Sequence, residues 1–415
     1  MFPASKPVTA RRVEEGLPRI QWGRPLPEGV GQPAIIRRLL ETALAAEPAR
    51  AALHVKLAHV HLDQLDYRGA AKCLEQAIAL EPADAHARLL LARCYNMLGR
   101  SRDALHAAAP VEGPQYERAA ALAELGDPAA EQEFRRVLEV DPNHLSACRL
   151  LCRQLRRSGR HEELLGLCEE LFARGGGSAQ LLYNWGVALA LTGDHERARR
   201  LMFDPMHIAR MRLPVPDGFA DIAAFNAALA EEILGSSNQI SEFPEEVEAN
   251  RGSRRVDNLF VGRRPELIGV LVHSLQQMAD AYRPGQRGGF DPWPQLRPAQ
   301  ARLRPWGLLQ RNEAYEAGHI HPLAWLSGVY YVRVPRGVSA LGEGPGCLAF
   351  GPPAVLGTNR PPATRYRPRE GMLLFAPSHY EHWTIPSGLD EERISIAFDV
   401  IPEKSGHMVG ISTRR

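Results

Sequence analysis

The feature that most constrains this chain is a repeat. Across residues 51–84, Leu57, Ala58, His61, Ala70, Leu74, Ala77 and Pro82 stand where a 34-residue helix–turn–helix unit places its packing side chains. Such a unit cannot bury its apolar face alone, so copies must stack into a solenoid with a concave groove. Small Ala70 and Ala77 let two helices approach closely, and Pro82 stops the second helix because it lacks the donor the next turn needs. One period earlier, Ala43 and Pro48 echo Ala77 and Pro82, so 33–48 reads as a lone second helix capping the array. Downstream come a unit over 88–108 with Tyr95 and Ala104, and a degenerate unit ending at Asp141-Pro142. Then follow 145–178, with Leu151, Leu155 and Gly159, and a last unit with Trp185, Gly186, Leu189, Gly193 and Ala198. Cys148 and Cys152, four apart on one of these helices, read as a packed apolar face.

The repeat explains only part of 415 residues, a length that suggests two or three domains. Residues 1–32 are rich in Pro, Gly and Arg and read as an arm with little structure of its own. Residues 33–204 form the repeat domain. After 205 the grammar changes. A short strand and turn are expected near 203–216, and helices over 221–235 and 265–283. Residues 284–306 read as a long loop or extended segment. Strands are expected over 326–334, 347–351, 371–377 and 393–400, so 205–415 reads as a barrel or sandwich with helices against one face. The fold class is therefore α + β.

Composition excludes several functions. Lys+Arg is 50 and Asp+Glu 48, so a net charge of +2 gives no support for bulk nucleic-acid or membrane-surface binding. Two arginine clusters, at Arg251, Arg254, Arg255, Arg263, Arg264 and at Arg283, Arg287, Arg297, Arg302, Arg304, read as solvated loops. No run of apolar residues is long enough to span a bilayer, and the N-terminus has no apolar core of a secretory signal. Six cysteines without a Cys-x-x-Cys pair make no disulfide framework, so a cytoplasmic location is expected.

The residues that carry chemistry lie late in the chain. His319 and His321 are two apart, so on a strand both imidazoles share a face. A third histidine, His382, follows an apolar strand and a turn; His379 on the same turn fits the register less well. Arg393 and Ser395 are again two apart, and a guanidinium fork beside a hydroxyl suits a carboxylate. Taken singly, each is as well read as a surface residue. Trp325 and Trp383 are candidate pocket walls or simply core.

The repeat, with its Ala/Ala/Pro and Trp-Gly signatures in phase, resembles the tetratricopeptide repeat family over about 170 residues. The order HIHPLAWLSGVYYV, LLFAPSHYEHWTIP and Arg-x-Ser resembles the iron(II)- and 2-oxoglutarate-dependent oxygenases. More narrowly, it is similar to a bacterial and phage-type branch related to prolyl hydroxylases, over about 205–402. That resemblance implies a double-stranded β-helix (jelly-roll) holding Fe(II) at its open end, with 2-oxoglutarate and O2 as co-substrates. It implies that His319 and His382 are the two histidine ligands and that Arg393, with Ser395 beside it, holds the distal carboxylate of 2-oxoglutarate. Tyr331 would bond the same carboxylate, while Tyr330 faces the other way. The common triad is two histidines and a carboxylate. Here His321 stands at the carboxylate position, as a third neutral ligand or behind the ligand set, and three imidazoles also suit zinc or copper. The resemblance implies hydroxylation of a peptide or protein side chain, with the repeat groove as platform for substrate or partner. Two other readings remain: a metal enzyme without 2-oxoglutarate on a cupin-like barrel, and a non-catalytic repeat scaffold.

Overall fold

The computed structural model describes residues 19–23, 33–235, 239–240, 249–256, 259, 266–285, 289–342, 344–357 and 363–403. These form two compact units. Residues 33–160 with 170–176 make the first; residues 19–23, 161–169 and the described residues from 177 onward make the second.

The first unit is helical. It holds α1 (Pro33–Ala46), α2 (Ala51–Asp63), α3 (Tyr67–Leu80), α4 (Ala85–Met97), α5 (Ser101–Ala108), α6 (Tyr116–Glu124), α7 (Ala129–Val140) and α8 (Leu145–Arg157). Successive helices pair as the repeat requires, and Ala70, Leu74, Ala77, Ala92 and Ala104 are all fully buried between them. Each turn is punctuated by its sequence. Asp66 accepts from the Gly69 N–H at the start of α3, and Asp84 from the Ala87 N–H at the start of α4. Cys148 and Cys152 are buried in the apolar face of α8, their sulfurs 3.9 Å apart. The position two residues past the first helix of a repeat takes a positive φ: Gly99, Gly126 and Gly159 in three repeats, but Leu65 (φ 59°) in the first. A helix α9 (His161–Ala173) follows.

The second unit begins its helices with α10 (Ala179–Leu191) and α11 (His195–Met202), the Trp-Gly pair. It continues with α12 (Ile222–Leu234) and α13 (Glu266–Ala281). Its strands are β1 (Gln21–Trp22), β2 (Ala209–Arg212), β3 (Gln239–Ile240), β4 (Asn250–Arg251), β5 (Arg254–Val256), β6 (Gln300–Gln310) and β7 (Tyr315–Glu316). The rest are β8 (Leu326–Arg333), β9 (Leu348–Phe350), β10 (Thr364–Tyr366), β11 (Met372–Pro377), β12 (His382–Thr384) and β13 (Arg393–Pro402). The large sheet runs β2-β11-β8-β13-β6-β5-β3, with β1 parallel to β6; a small sheet runs β10-β9-β12. Strands from the two sheets line one cavity, as in a jelly-roll. Gly328, in the middle of β8, has no room for a side chain: a Cβ there would lie 2.3 Å from the Phe398 ring and 2.9 Å from the Leu374 carbonyl.

Two expectations need correcting and a third is narrowed. The stretch 284–306, read as loop or extended segment, ends extended, because 300–306 opens β6, the partner of β13 over its whole length. Its Pro and Arg content hid an alternation of buried and exposed positions. The arm is not without structure where described, since Gln21 and Trp22 pair with Gln300 and Ala301. The arginine clusters are not solvated loops. Arg254 and Arg255 lie on β5, and Arg302 and Arg304 on β6. Arg254 pairs with Glu392, Arg302 with Glu403 and Arg297 with Asp280. Arg263, Arg264 and Arg287 lie outside the described residues. Among the described residues no helix is long and apolar enough to cross a membrane.

Candidate metal centre

His319, His321 and His382 come together, their ligating nitrogens all within 4.8 Å of one another. The local cause differs from a plain strand. His319 forms an isolated antiparallel bridge with His382, exchanging both backbone hydrogen bonds at 3.1 Å. His321 lies just beyond, in irregular chain whose N–H donates to the Ser378 carbonyl. The first two imidazoles thus meet through pairing to β12 and not through the two-residue period of a regular strand.

Each ring is fixed through its Nδ1. His319 Nδ1 lies 2.7 Å from the Ala317 carbonyl, and His382 Nδ1 3.0 Å from the Tyr380 carbonyl. His321 Nδ1 lies 2.9 Å from the Asp399 carboxylate. An acceptor at every Nδ1 places the ring proton there and leaves the Nε2 lone pairs for the common point. His321 Nε2 and His382 Nε2 are 3.2 Å apart, so two lone pairs face each other at contact distance. A cation held between them relieves that, with both ring protons kept at Nδ1. At a metal–nitrogen bond of ~2.1 Å this separation subtends roughly 100° at the ion, which suits a bound divalent metal. Electrostatics agree. Burial, and then the neighbouring imidazoles, hold His319 well below the ordinary histidine range; burial and His321 push His382 down to about 3. Both rings are neutral and ready to ligate at neutral pH.

Asp399 is the residue that sequence reasoning missed. It is buried, and its Oδ1 also accepts from Ser327 Oγ at 2.7 Å. Burial works to raise its pKa, but His321, Ser327 and Arg304 outweigh that, so the carboxyl sits below its usual range and is ionised. The carboxylate missing from the ligand set is therefore present one hydrogen bond behind it. The signal was available. Arg393, Ser395, Ala397 and Asp399 are spaced by two on β13, so a face that starts at the arginine reaches the aspartate. Trp306 on β6 stacks on His321 with ring centres 5.6 Å apart.

The cavity beside the histidines encloses about 700 Å³, counting its open mouth. Its walls are mainly apolar, with Leu308, Val329, Leu348, Phe350 and Leu374 prominent. Arg393, Ser395 and Tyr331 also line it. The Arg393 guanidinium is buried and donates to the Gly346 carbonyl at 3.0 Å and to Gln310. Among the described residues no carboxylate lies within ion-pair distance of it, although Glu316, which lines the same cavity, acts on it through space; burial lowers its pKa. Tyr331 is buried and its phenol is pushed up to about 12, so it is a neutral donor. Tyr330 points away and donates to Asn226 on α12 at 2.6 Å.

Other candidates lie apart. His379 is buried outside the cluster, its Nε2 bonded to the Leu201 carbonyl at 2.9 Å and its pKa pushed down by burial to about 3. Trp325 stacks on Trp293 in the core, 5.1 Å between ring centres, and neither Trp325 nor Trp383 lines the cavity. Glu381 turns away from the histidines, accepting from Tyr183 of α10 at 3.0 Å and from the Ala354 N–H at 2.9 Å. With Tyr380 bonded to Asp204 and His207, the three residues before His382 are all held by the helical side of this unit.

Residues 304–399 match the family model described as "Putative 2OG-Fe(II) oxygenase", and residues 61–125 match "Tetratricopeptide repeat". The chain is thus a tetratricopeptide region joined to a 2OG-Fe(II) oxygenase region. No curated protein sequence matches it. Among solved structures it is similar to a Pseudomonas putida prolyl-4-hydroxylase at 15% identity and TM-score 0.33, covering 48% of this chain and 94% of that one. It is similar to a Trichoplax adhaerens prolyl hydroxylase at 12% identity and TM-score 0.34, covering 47% and 83%. The tetratricopeptide protein YrrB, described as having an unusual peptide-binding site, matches at 20% identity and TM-score 0.31, covering 39% and 88%. Likenesses this slight carry no weight for substrate or activity.

Proposed function

We propose that this protein is a 2-oxoglutarate- and Fe(II)-dependent dioxygenase that hydroxylates a peptide or protein side chain, with the repeat domain as platform for substrate or partner. One observation carries the reading: an unpaired, buried Arg393 lines the same apolar cavity as three imidazoles whose Nε2 atoms converge. A buried cation is costly without an anion, and a small dicarboxylate that also reaches a metal fits such a cavity.

His319, His321 and His382 would hold the metal, and Arg393, with Ser395 and Tyr331, would hold the distal carboxylate of 2-oxoglutarate. Arg393 is kept in place by Gly346 and Gln310, so its fork is oriented before the anion arrives. Tyr331, neutral to about 12, donates a hydroxyl proton to that carboxylate. The apolar walls exclude water, which strengthens both contacts. Asp399 keeps the Nδ1 proton on His321 and returns a negative charge to the site. Bound there with 2-oxoglutarate and O2, a metal would supply the oxidative chemistry of a hydroxylation. The six cysteines are all free, which supports a reducing, cytoplasmic setting. We take residues 1–32 as arm, 33–204 as repeat domain and 205–415 as oxygenase domain, with the α10–α11 pair packed on the oxygenase side.

The test is anaerobic addition of Fe(II) and 2-oxoglutarate. A visible metal-to-ligand charge-transfer band is expected in the native chain and none in His382→Ala. A native chain that binds zinc but gives no band with Fe(II) and 2-oxoglutarate would favour a metal enzyme of another class.

A further inference from the structure

The first helices of successive repeats in the helical unit share one face. His59 of α2 stacks on His86 of α4, 5.7 Å between ring centres. Asn96 of α4 donates to the Glu117 carbonyl of α6 at 2.8 Å. Tyr116 of α6 packs on His144 at the start of α8, 5.0 Å between ring centres, and bonds Ser146. Four arginines sit along this face. Arg93 lies close enough to His59, Tyr67, Tyr116 and Glu117 to act on each. Arg149, Arg153 and Arg157 follow at four-residue steps on α8, so they share its side.

These arginines lack partners, as Arg102 on α5 also does, but here four of them stand along one face. Elsewhere in the unit, Arg118 and Arg136 pair with Glu133, and Arg135 and Arg160 with Glu131, at 2.6–3.2 Å. Among the described residues Arg93, Arg149, Arg153 and Arg157 make no ion pair or side-chain hydrogen bond. Arg149 and Arg157 both press on Arg153, which is a repulsion left in place. Three acidic groups stand nearby: Asp63 by His59, Glu124 by Arg153, and Glu117, whose pKa burial raises and Arg93 lowers.

We propose that this face binds an extended acidic segment of a protein. That this segment belongs to the oxygenase's substrate or partner rests on the function proposed above. With neighbouring helices ~10 Å apart, the span from α4 to α8 is roughly 20 Å, which about six extended residues cover at ~3.3 Å each. Nucleic acid is the less fitting polyanion. Tyr116 is packed and bonded on both sides, so it offers no platform for a stacked base.

The experiment uses the full chain with fluorescent probes: a peptide of alternating Glu and Ala, its Gln counterpart, and a short single-stranded oligonucleotide. Binding of the Glu peptide is expected, weakening with salt, with the Gln peptide roughly tenfold weaker or more. Arg149→Glu with Arg153→Glu should lose at least about tenfold. The milder pair Arg153→Gln and Arg157→Gln, both exposed, should lose part of that without risk to folding, and Arg102→Glu on α5 should lose nothing. Equal binding of the Glu and Gln peptides, or no loss in either arginine pair, overturns the proposal. So does an oligonucleotide that binds more tightly than the Glu peptide. His382→Ala should bind the peptide as well as the native chain. Failure of peptide binding beside an intact charge-transfer band would sink this inference alone.

Discussion

Replacing Asp399 tests how the site works without a carboxylate ligand. Its Oδ1 holds His321 Nδ1 at 2.9 Å and Ser327 at 2.7 Å in a fully enclosed position. Asp399→Asn keeps an acceptor and the ring orientation but removes the charge. Asp399→Ala removes both, and leaves the His321 N–H buried without a partner, worth about 1–3 kcal/mol. Residues behind metal ligands typically govern 10–100-fold in metal affinity, about 1.4–2.8 kcal/mol. We expect Asn near the lower figure and Ala at or beyond the upper. The measurement is competitive titration of the purified chain with Fe(II) under anaerobic conditions and with Co(II), against a chelator of known affinity. A second arm exchanges the roles. His321→Asp places two carboxylates together and should bind metal poorly, whereas His321→Asp with Asp399→Asn removes the repulsion and should recover affinity. If Asp399→Ala binds metal as tightly as the native chain, Asp399 neither orients His321 nor supplies charge, and His321 is not a ligand through Nε2.

Other consequences follow from particular contacts. Arg393→Ala should raise the 2-oxoglutarate requirement at least an order of magnitude while metal binding persists, because losing one partner of a buried charged pair costs about 2–5 kcal/mol; Arg393→Lys should recover only part, and unchanged affinity would remove the keto acid from this site. His379 sits at about 3 when folded against an ordinary 6.5, so below about pH 6.5 the unfolded chain takes up a proton that the folded one refuses. Stability should therefore fall as pH drops from 6.5 towards 3, by up to about 5 kcal/mol from this group; His379→Phe should flatten that slope in denaturant titrations across pH, and an unchanged slope would refute the assignment. Leu65→Gly should raise the melting temperature of the repeat region, since Leu65 takes the left-handed conformation that glycine fills in the other repeats, a gain of about 1 kcal/mol.

The helical half was legible because its signals are local. Ala70, Ala77 and Pro82 are close in sequence to what they pack against or stop, and a repeat shows each rule several times. The strand-rich half obeys longer-range rules. β13 pairs with both β6 and β8, and of these two partners only β8 carries an apolar run that is visible by itself. In β6, Arg302, Arg304 and Pro305 interrupt the pattern, and the strand survives because Arg302 pairs with Glu403 and Arg304 stacks over Trp306. Those compensations involve partners that no window along the sequence contains.

The site divides the same way. The spacing of Arg393 and Ser395 put both on one face of β13, and both line the cavity. The same spacing gave the wrong reason for His319 and His321, which converge through the bridge to His382. Asp399 is the sharper case. Along the sequence the ligand set lacks a carboxylate at position 321. An antiparallel sheet answers differently. Asp399 lies opposite Ser327 on β8, and the chain that carries His321 runs into β8, so the carboxylate reaches the imidazole across the sheet. A ligand's supporting partner is chosen by strand pairing, and once β13 is paired with β8 the period-two face starting at Arg393 has one acidic residue on it, at the distance from the cavity where a histidine needs its proton held.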